Sequence, residues 1–186
     1  MRCWPISSTA TLPESGPESG LHFSPEVAEA GGVPGAALHW RALERLYASA
    51  PVNSLFDSEL AITAAGTARI SFMVDERCYH AAGAAHGTIY FKMLDDAAFY
   101  AANTLVTDRF LLTTSFNLHF SRPIKAGRVV AEGRWISGHK RVLVAEARLV
   151  DAEGEEVGRG TGTFMRSRIS LSGLEGYAPG PADQPG

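Results

Sequence analysis

Hydrophobic and polar residues recur with different periods along the chain, and the changes of period mark its predicted elements. From Leu38 to Tyr47 the apolar side chains have helical spacing, and Pro51 helps to end that helix. Two runs with a period of two follow around Gly66, over Glu59 to Ala64 and over Thr67 to Asp75. The chain is therefore predicted to begin its ordered part with an amphipathic helix and two antiparallel strands.

The segment from His86 to Asn103 is predicted to be a helix that is apolar on nearly every side. Four strands with a period of two are predicted after it: Phe110 to Phe120, Val129 to Ile136, Arg141 to Val150 and Glu156 to Met165. Strands on both sides of one buried helix are typical of an α+β fold, in which an antiparallel sheet wraps around the helix.

Two of these strands carry further detail. In Phe110 to Phe120, one uninterrupted alternation would place Thr113 and Phe116 on opposite faces. In the last strand, Gly158, Gly160 and Gly162 fall on one face, where they weaken the strand but leave room for a bulky neighbour. We therefore expect a helix or an aromatic ring to lie close against that face.

Composition predicts one domain between two polar ends. Residues 1–35 are rich in Pro, Gly, Ser and Glu, and we expect them to be a flexible arm without its own core. The tail at 169–186, which ends in YAPGPADQPG, has a similar composition. Residues 36–168 remain for a single domain, in a chain long enough to bury a substantial core.

Charge and cysteine content limit the functional classes. A formal net charge of −3 gives no general attraction to nucleic acid or to an anionic membrane. Two cysteines, Cys3 and Cys78, do not form a disulfide framework, and no apolar run approaches the roughly 18 residues of a membrane span. The six histidines lack metal-ligand spacing such as H-E-x-x-H. We expect a cytoplasmic protein without a metal or cofactor.

The central helix carries two adjacent carboxylates, Asp95 and Asp96, although a charge is costly to bury on an apolar helix. Asp96 lies one turn after Lys92, so an ion pair is a simpler interpretation than a catalytic role. Asp95 has only apolar neighbours on its own face, and burial would raise the pKa of its carboxyl toward neutrality. It is either a general base or acid, or a structural Asp bonded to a neighbouring strand or partner chain.

A second candidate group lies at the start of the same helix. Gly83 and the pair His86-Gly87 predict a sharp turn, and the N–H groups of the first helical turn lack intrahelical acceptors, so they can hold a developing oxyanion. Gly87 and Asp95 are eight residues apart, about 12 Å along a helix. The two groups of one chain cannot contact the same carbonyl. If both act, the expected geometry is a two-fold dimer in which the helix start of one protomer faces Asp95 of the other.

These residues resemble a known motif. His86-Gly87, followed after seven residues by Asp95, is similar to the H-G-G-x-x-x-x-L-x-D signature of hotdog-fold acyl-CoA thioesterases of the phenylacetate-degradation (PaaI-like) type. The segment FNLHFSRPIKAG, from Phe116 to Gly127, is similar to the strand and turn that follow the helix in that family. The likeness covers about residues 59–166.

The resemblance implies a hotdog fold and hydrolysis of an acyl-CoA thioester, with coenzyme A present only as part of the substrate. It implies that Asp95 activates water or attacks the acyl carbon itself, and that the Gly87 N–H of the other protomer stabilises the oxyanion. His86 would position the loop or bond the substrate. Thr113 matches a position near the attacking water, and its neighbour Thr114 is a poorer candidate. The implied assembly is a homodimer, or a tetramer of two dimers.

Three positions depart from the signature. Thr88 replaces its second Gly, Met93 replaces its Leu, and His80 replaces the Asn or Gln expected six residues before the motif His. Histidine can also donate a hydrogen bond, but it is bulkier than Asn and titrates near neutral pH. Activity with an altered pH profile, a different substrate shape, and binding without turnover are three alternatives.

Two rival functions are weaker. A hotdog hydratase or dehydratase would commonly have a His a few residues after the Asp, but no His occurs between Asp95 and His119. A non-catalytic acyl-CoA binding or sensing protein is suggested only by His80, and no DNA-binding helix pair is recognisable.

The sequence constrains the substrate less closely than the reaction. Tyr90, Phe91 and Phe99 belong either to an apolar pocket or to ordinary core packing. Several cations lie in predicted turns or at strand ends, where they solubilise the surface or hold the phosphates of coenzyme A: Arg122, Lys125, Lys140, Arg141, Arg166 and Arg168.

Overall fold

The structure is a computed structural model that describes residues 34–178. The elements are α1 (Pro34–Ser49), β1 (Ser58–Ala61), β2 (Thr67–Val74), α2 (Gly87–Asn103), β3 (Arg109–Phe120), β4 (Gly127–Ser137), β5 (Val142–Val150) and β6 (Glu156–Ser170). The strands form one sheet in the order β1-β2-β4-β5-β6-β3, and all neighbours are antiparallel. The order places β3, the strand after the central helix, at one edge. The two predicted helices and six predicted strands are thus confirmed.

Helix α2 packs closely against the sheet and contacts every strand from β2 to β6. Its small residues Ala97, Ala98 and Ala101 are fully buried. Opposite them, Gly133 of β4 lies so close that an added Cβ would be 2.0 Å from the Ala97 carbonyl oxygen. The small residues on both sides allow this approach, which confirms the predicted α+β arrangement of a sheet around one helix.

Strand β3 contains a bulge that the hydrophobic alternation did not predict. Its register with β6 shifts between Thr113 and Ser115, so that Thr113 pairs with Phe164 and Phe116 pairs with Gly162. Thr113 bonds to α2, and the ring of Phe116 lies against a ring of α2, so both side chains face the helix. The predicted single alternation is therefore wrong here, because one extra residue reverses the facing of the strand.

The glycine face of β6 is covered by aromatic rings, which confirms the expected bulky neighbour. A Cβ at Gly160 would lie 2.3 Å from Cε1 of Phe116, and one at Gly162 would lie 2.6 Å from Cδ2 of the same ring. At Gly158, an added Cβ would lie 3.2 Å from Cδ1 of Tyr90. The three glycines let rings from β3 and α2 rest directly on the backbone.

Ordered structure continues past the boundary predicted at residue 168. Strand β6 extends to Ser170, the side chain of Leu171 is fully buried, and a short 3₁₀ helix covers Glu175–Tyr177. The polar composition of 169–178 predicted a flexible tail, but a few apolar side chains anchor this segment to the domain. Most of the predicted arm, 1–33, and the last residues, 179–186, lie outside the described part of the chain.

A buried histidine, His39, connects α1 to the end of α2 and to the C-terminal segment. The Nε2 of His39 lies 3.0 Å from the carbonyl of Asn103, and its Nδ1 lies 2.6 Å from the hydroxyl of Tyr177. Because a carbonyl can only accept, Nε2 carries the proton and Nδ1 accepts from the tyrosine.

Among residues 34–178, no helix is both long and apolar enough to cross a membrane.

Candidate active site

The start of α2 is a capped turn with one free donor position. The Nδ1 atom of His86 accepts a hydrogen bond from the Thr88 N–H at 3.2 Å, and the backbone carbonyl of His86 accepts one from the Ile89 N–H at 2.9 Å. The N–H of Gly87, the first residue of the helix, has no intrahelical acceptor. His86 therefore orders the turn, and the Gly87 N–H is the donor available to an oxyanion.

A cleft of about 430 Å³ opens beside this helix start. The ring of Phe120 stands over Gly87, where an added Cβ would lie 3.2 Å from Cζ. The walls are mostly apolar, with few polar groups, as in many small-molecule sites. The lining residues are His80, Ala84, Ala85, Gly87, Tyr90, Phe120, Ser121, Arg122 and Pro123.

His80 lies at the rim of this cleft, in a tight loop before α2. Its N–H donates to the Ala84 carbonyl at 2.9 Å, and its own carbonyl accepts from Gly83, whose φ of +78° suits glycine. The Nδ1 atom accepts from the N–H of Ala82 at 3.1 Å. In the neutral ring the proton therefore lies on Nε2, which makes that atom a hydrogen-bond donor.

Asp95 lies on the face of α2 covered by β3. The hydroxyl of Thr113 donates to its carboxylate, 3.1 Å from Oδ1 and 3.3 Å from Oδ2. The pKa of Asp95 is raised to about 6, chiefly by burial and also by the charge of Asp96, while the Thr113 hydrogen bond and Lys92 act to lower it. A carboxylate that is ionised at neutral pH yet readily protonated has the properties of a general base.

Asp96 has a structural environment instead. Its carboxylate forms the predicted ion pair with Lys92, one turn earlier on the helix. The Lys92 ammonium also lies over the rings of Tyr47 and Phe56, 5.0 and 5.4 Å from their centroids. Burial raises the pKa of Asp96, and the lysine counteracts that effect. The pair is partly buried, and Lys92 offsets the charge of Asp96, which favours the structural interpretation over a second catalytic carboxylate.

The candidate residues fall into two groups along α2. His80, His86 and Gly87 lie together at the helix start, whereas Asp95 and Thr113 lie two turns further on. Eight residues of helix separate Gly87 from Asp95, about 12 Å at 1.5 Å per residue, so the two groups of one chain cannot contact the same carbonyl. Among the described residues, no cluster of three or more His, Cys, Asp or Glu could hold a metal ion.

One feature of the cleft has no clear signal in the sequence. The hydroxyl of Tyr90 donates to the Arg122 carbonyl at 2.7 Å and accepts from the Ile124 N–H at 2.9 Å. These partners lie more than 30 residues away along the chain, so no local spacing reveals them. The sequence identified Tyr90 only as a ring on the helix.

Residues 82–158 match the model of the thioesterase superfamily. The match contains α2, the motif His86-Gly87, Asp95 and Thr113. This region of the chain is therefore similar to members of the thioesterase superfamily.

Solved structures confirm the predicted hotdog fold. The PaaI protein of Escherichia coli, from the phenylacetic acid degradation operon, superposes with a TM-score of 0.67 and is 17% identical; the alignment covers 73% of this chain and 97% of that one. A variant of the phenylacetic acid degradation protein PaaI of Thermus thermophilus gives a TM-score of 0.58 at 26% identity, over 63% of this chain and 100% of the other.

A relative matched by sequence is also an esterase candidate. A candidate esterase of Saccharolobus solfataricus is 29% identical over 107 residues, which are 58% of this chain and 71% of the relative. The superfamily and these relatives support hydrolysis of acyl thioesters as the general activity of the domain.

Proposed function

We propose that this thioesterase domain hydrolyses an acyl-CoA thioester to the free acid and coenzyme A. The observation that carries the proposal is the Asp95 carboxylate, which is partly buried on an apolar helix, has a raised pKa and bonds to Thr113. Such a costly charge is retained where it acts in chemistry.

The reaction begins with attack on the thioester carbonyl carbon. In one route, Asp95 takes a proton from water as the water oxygen forms the new bond, with Thr113 orienting the carboxylate. The carbonyl oxygen becomes an oxyanion held by the Gly87 N–H of the other protomer. The carbon–sulfur bond then breaks, the sulfur leaves with the electron pair, and the proton from Asp95 yields the CoA thiol. In the other route, the Asp95 carboxylate attacks the carbon directly, and the carbon–sulfur bond breaks to release the CoA thiolate, which takes a proton from solvent. Water then hydrolyses the resulting anhydride to the free acid and the Asp95 carboxylate.

The proposed active unit is a homodimer that shares its sites. Strand β3 is an edge strand of the sheet, so its outer backbone groups are available for pairing with a second copy. Large apolar side chains beside this edge are exposed in the single chain: Phe91 is 46%, Leu112 is 48% and Phe120 is 58% exposed. A two-fold contact here would bring Asp95 of one protomer toward the Gly87 N–H of its partner. Such dimers could pair further into tetramers.

We infer that His80 and two cations assist binding. The Nε2–H of His80 is available at the cleft rim to bond the substrate or its water. Arg122 lines the same cleft and forms an exposed ion pair with Glu155, while Lys125 is exposed three residues further on. These are the candidates to hold the phosphates of coenzyme A, since exposed ion pairs exchange partners at little cost.

A panel of acyl-CoA thioesters with a thiol-detecting dye tests the proposal. Release of free thiol supports hydrolysis, whereas binding without release would favour the binding or sensing alternative that the His80 departure suggests. Asp95→Asn should remove most of the turnover, and Asp96→Asn is the matched control that should affect it far less. A variant Asp95→Asn that kept full turnover would contradict the assigned mechanism.

The position of the oxygen separates the two routes. The test is hydrolysis in H₂¹⁸O under single-turnover conditions. After direct attack by Asp95, water that hydrolyses the anhydride at the carboxyl carbon of Asp95 leaves ¹⁸O in the enzyme. Water that attacks the acyl carbon instead leaves ¹⁸O in the product acid. Activation of water always places the label in the product. Label in Asp95 would therefore establish the nucleophilic route.

A further inference from the structure

The side chain of Tyr90 supports one wall of the cleft. Tyr90 lies in the first turn of α2, three residues after Gly87, and only 3% of it is exposed. Its hydroxyl bonds to two backbone groups of residues 121–124, the carbonyl of Arg122 and the N–H of Ile124. The segment 121–124, which follows β3, is thereby attached to the helix that carries the Gly87 N–H.

Other bonds hold the same segment at its two sides. The N–H groups of Ser121 and Arg122 both point to the Val157 carbonyl, at 3.0 and 3.2 Å, and the Ile124 carbonyl accepts from the Ala85 N–H at 2.8 Å. The segment is therefore fixed to β6 and to the loop before α2. Between these attachments, the Tyr90 hydroxyl is the contact that joins the wall to the helix itself.

The ring of Tyr90 is held as tightly as its hydroxyl. One side packs on the bare backbone at Gly158, where an added Cβ would lie 3.2 Å from Cδ1. The Phe120 ring meets it in an edge contact, with centroids 5.0 Å apart, and Phe120 in turn stands over Gly87. A shift of Tyr90 would therefore be transmitted to both Phe120 and the backbone of 121–124.

We propose that Tyr90 is a positioning residue that sets the width of this cleft and hence the size of the acyl group accepted beside Gly87. The proposal rests on the proposed function for the identity of the ligand. Tyr90 acts through residues 121–124 and Phe120, and not on reacting atoms. Removing its hydroxyl would leave the buried Ile124 N–H and the partly buried Arg122 carbonyl without this partner, so the wall would shift to recover hydrogen bonds.

Binding of two unreactive thioethers, S-propyl-CoA and S-octyl-CoA, measures the cleft independently of turnover. In Tyr90→Phe the ratio of the two Kd values should change by about tenfold in favour of the larger group. Tyr177→Phe is the matched control, since it removes a hydroxyl bonded to the buried His39 near the other end of α2. It should lower the Tm without changing the Kd ratio.

Several outcomes would overturn the proposal. An unchanged ratio in Tyr90→Phe would show that Tyr90 serves the fold alone, as would equal loss of affinity for both thioethers. If Tyr90→Phe does not fold, Gly158→Ala presses on the ring while keeping the hydroxyl, and an unchanged ratio there overturns the proposal equally.

The wild-type protein separates this inference from the proposed function. If it binds both thioethers but releases no thiol from acyl-CoA, hydrolysis fails while the Kd ratio still decides the role of Tyr90. If it binds neither thioether, the cleft does not take an acyl-CoA ligand and the inference is wrong.

Discussion

The Asp95 carboxylate costs folding stability but is used in the proposed reaction. Its carboxylate is partly buried on an apolar face, and the hydrogen bond from Thr113 offsets only part of the cost, because the pKa still rises to about 6. Asp96 shows the alternative solution on the same helix, in which a lysine one turn away neutralises the charge. The difference between the two neighbours is what singles out Asp95.

Asp95→Asn should therefore stabilise the fold at neutral pH while it removes activity. The folded pKa of about 6 lies above the ordinary value of 3.8 for an Asp carboxyl, so ionisation costs folding stability as the pH rises through this window. The full shift corresponds to roughly 3 kcal/mol, and about 1 to 2 kcal/mol is expected after allowance for partial exposure. Denaturant unfolding at pH 8 should show this gain, and at pH 4 it should vanish. A loss of stability at pH 8 would identify Asp95 as a structural residue.

Thr113→Val should move the pH profile of turnover upward. The Thr113 hydroxyl lowers the pKa of Asp95, so its removal shifts the acidic limb of kcat/KM to higher pH, with lower activity near pH 6. Thr114→Val is the matched control, because the Thr114 hydroxyl donates to the Thr163 carbonyl instead. An identical shift in both variants would mean that the bulge, and not the hydrogen bond, sets the profile.

At the scale of elements, local periodicity predicts the helices and strands, but it does not predict the contacts between residues far apart in the chain. The helical and alternating runs gave the helices and strands because burial imposes their periods on each element separately. The bulge near Thr114 was missed because the residues on both sides continue the alternation, and only pairing with β6 shows the shift. The bonds of Tyr90 and the anchoring of Leu171 depend likewise on partners far along the chain.

The contact of α2 with β4 is predicted to be highly sensitive to an added methyl group. A Cβ at Gly133 would meet the Ala97 carbonyl and the Ala98 amide, at 2.0 and 2.8 Å, and neither backbone atom can move alone. Gly133→Ala should therefore cost about 2 to 4 kcal/mol in unfolding free energy. It should also reduce turnover in the folded fraction, because Asp95 lies only two residues from Ala97.

Gly173→Ala is the control for that experiment. Nothing lies within 4 Å of its added Cβ, so the change in stability should be within about 0.5 kcal/mol. Equal effects of the two substitutions, measured by denaturant unfolding, would show that the close approach of α2 to β4 is not required.

At the scale of the whole molecule, the length of α2 decides how a site can be assembled. The helix carries a donor at its start and a carboxylate two turns later, and a straight helix cannot bring them together. The edge strand β3, beside Asp95 and with exposed apolar side chains, is where a second copy could complete each half. A modest net charge of −3 does not oppose such self-association.

Mixed dimers provide the test of shared sites. Asp95→Asn removes the carboxylate, and Gly87→Pro removes the N–H at a first helical position, where the ring of proline fits and the extended His86 before it is compatible. Each variant alone should be inactive, but if the sites are shared, a mixed dimer combines an intact Gly87 from one chain with an intact Asp95 from the other.

Equal co-expression yields about half mixed dimers by random pairing, and each would contain one intact site of two. The recovered turnover should therefore be about a quarter of the wild-type value. Gly87→Ala keeps the N–H and requires only a small shift of Phe120, so it should remain active and shows that loss of the donor, not added bulk, inactivates Gly87→Pro. No recovery in verified mixed dimers would mean that each chain uses its own residues, and the proposed shared site would be wrong.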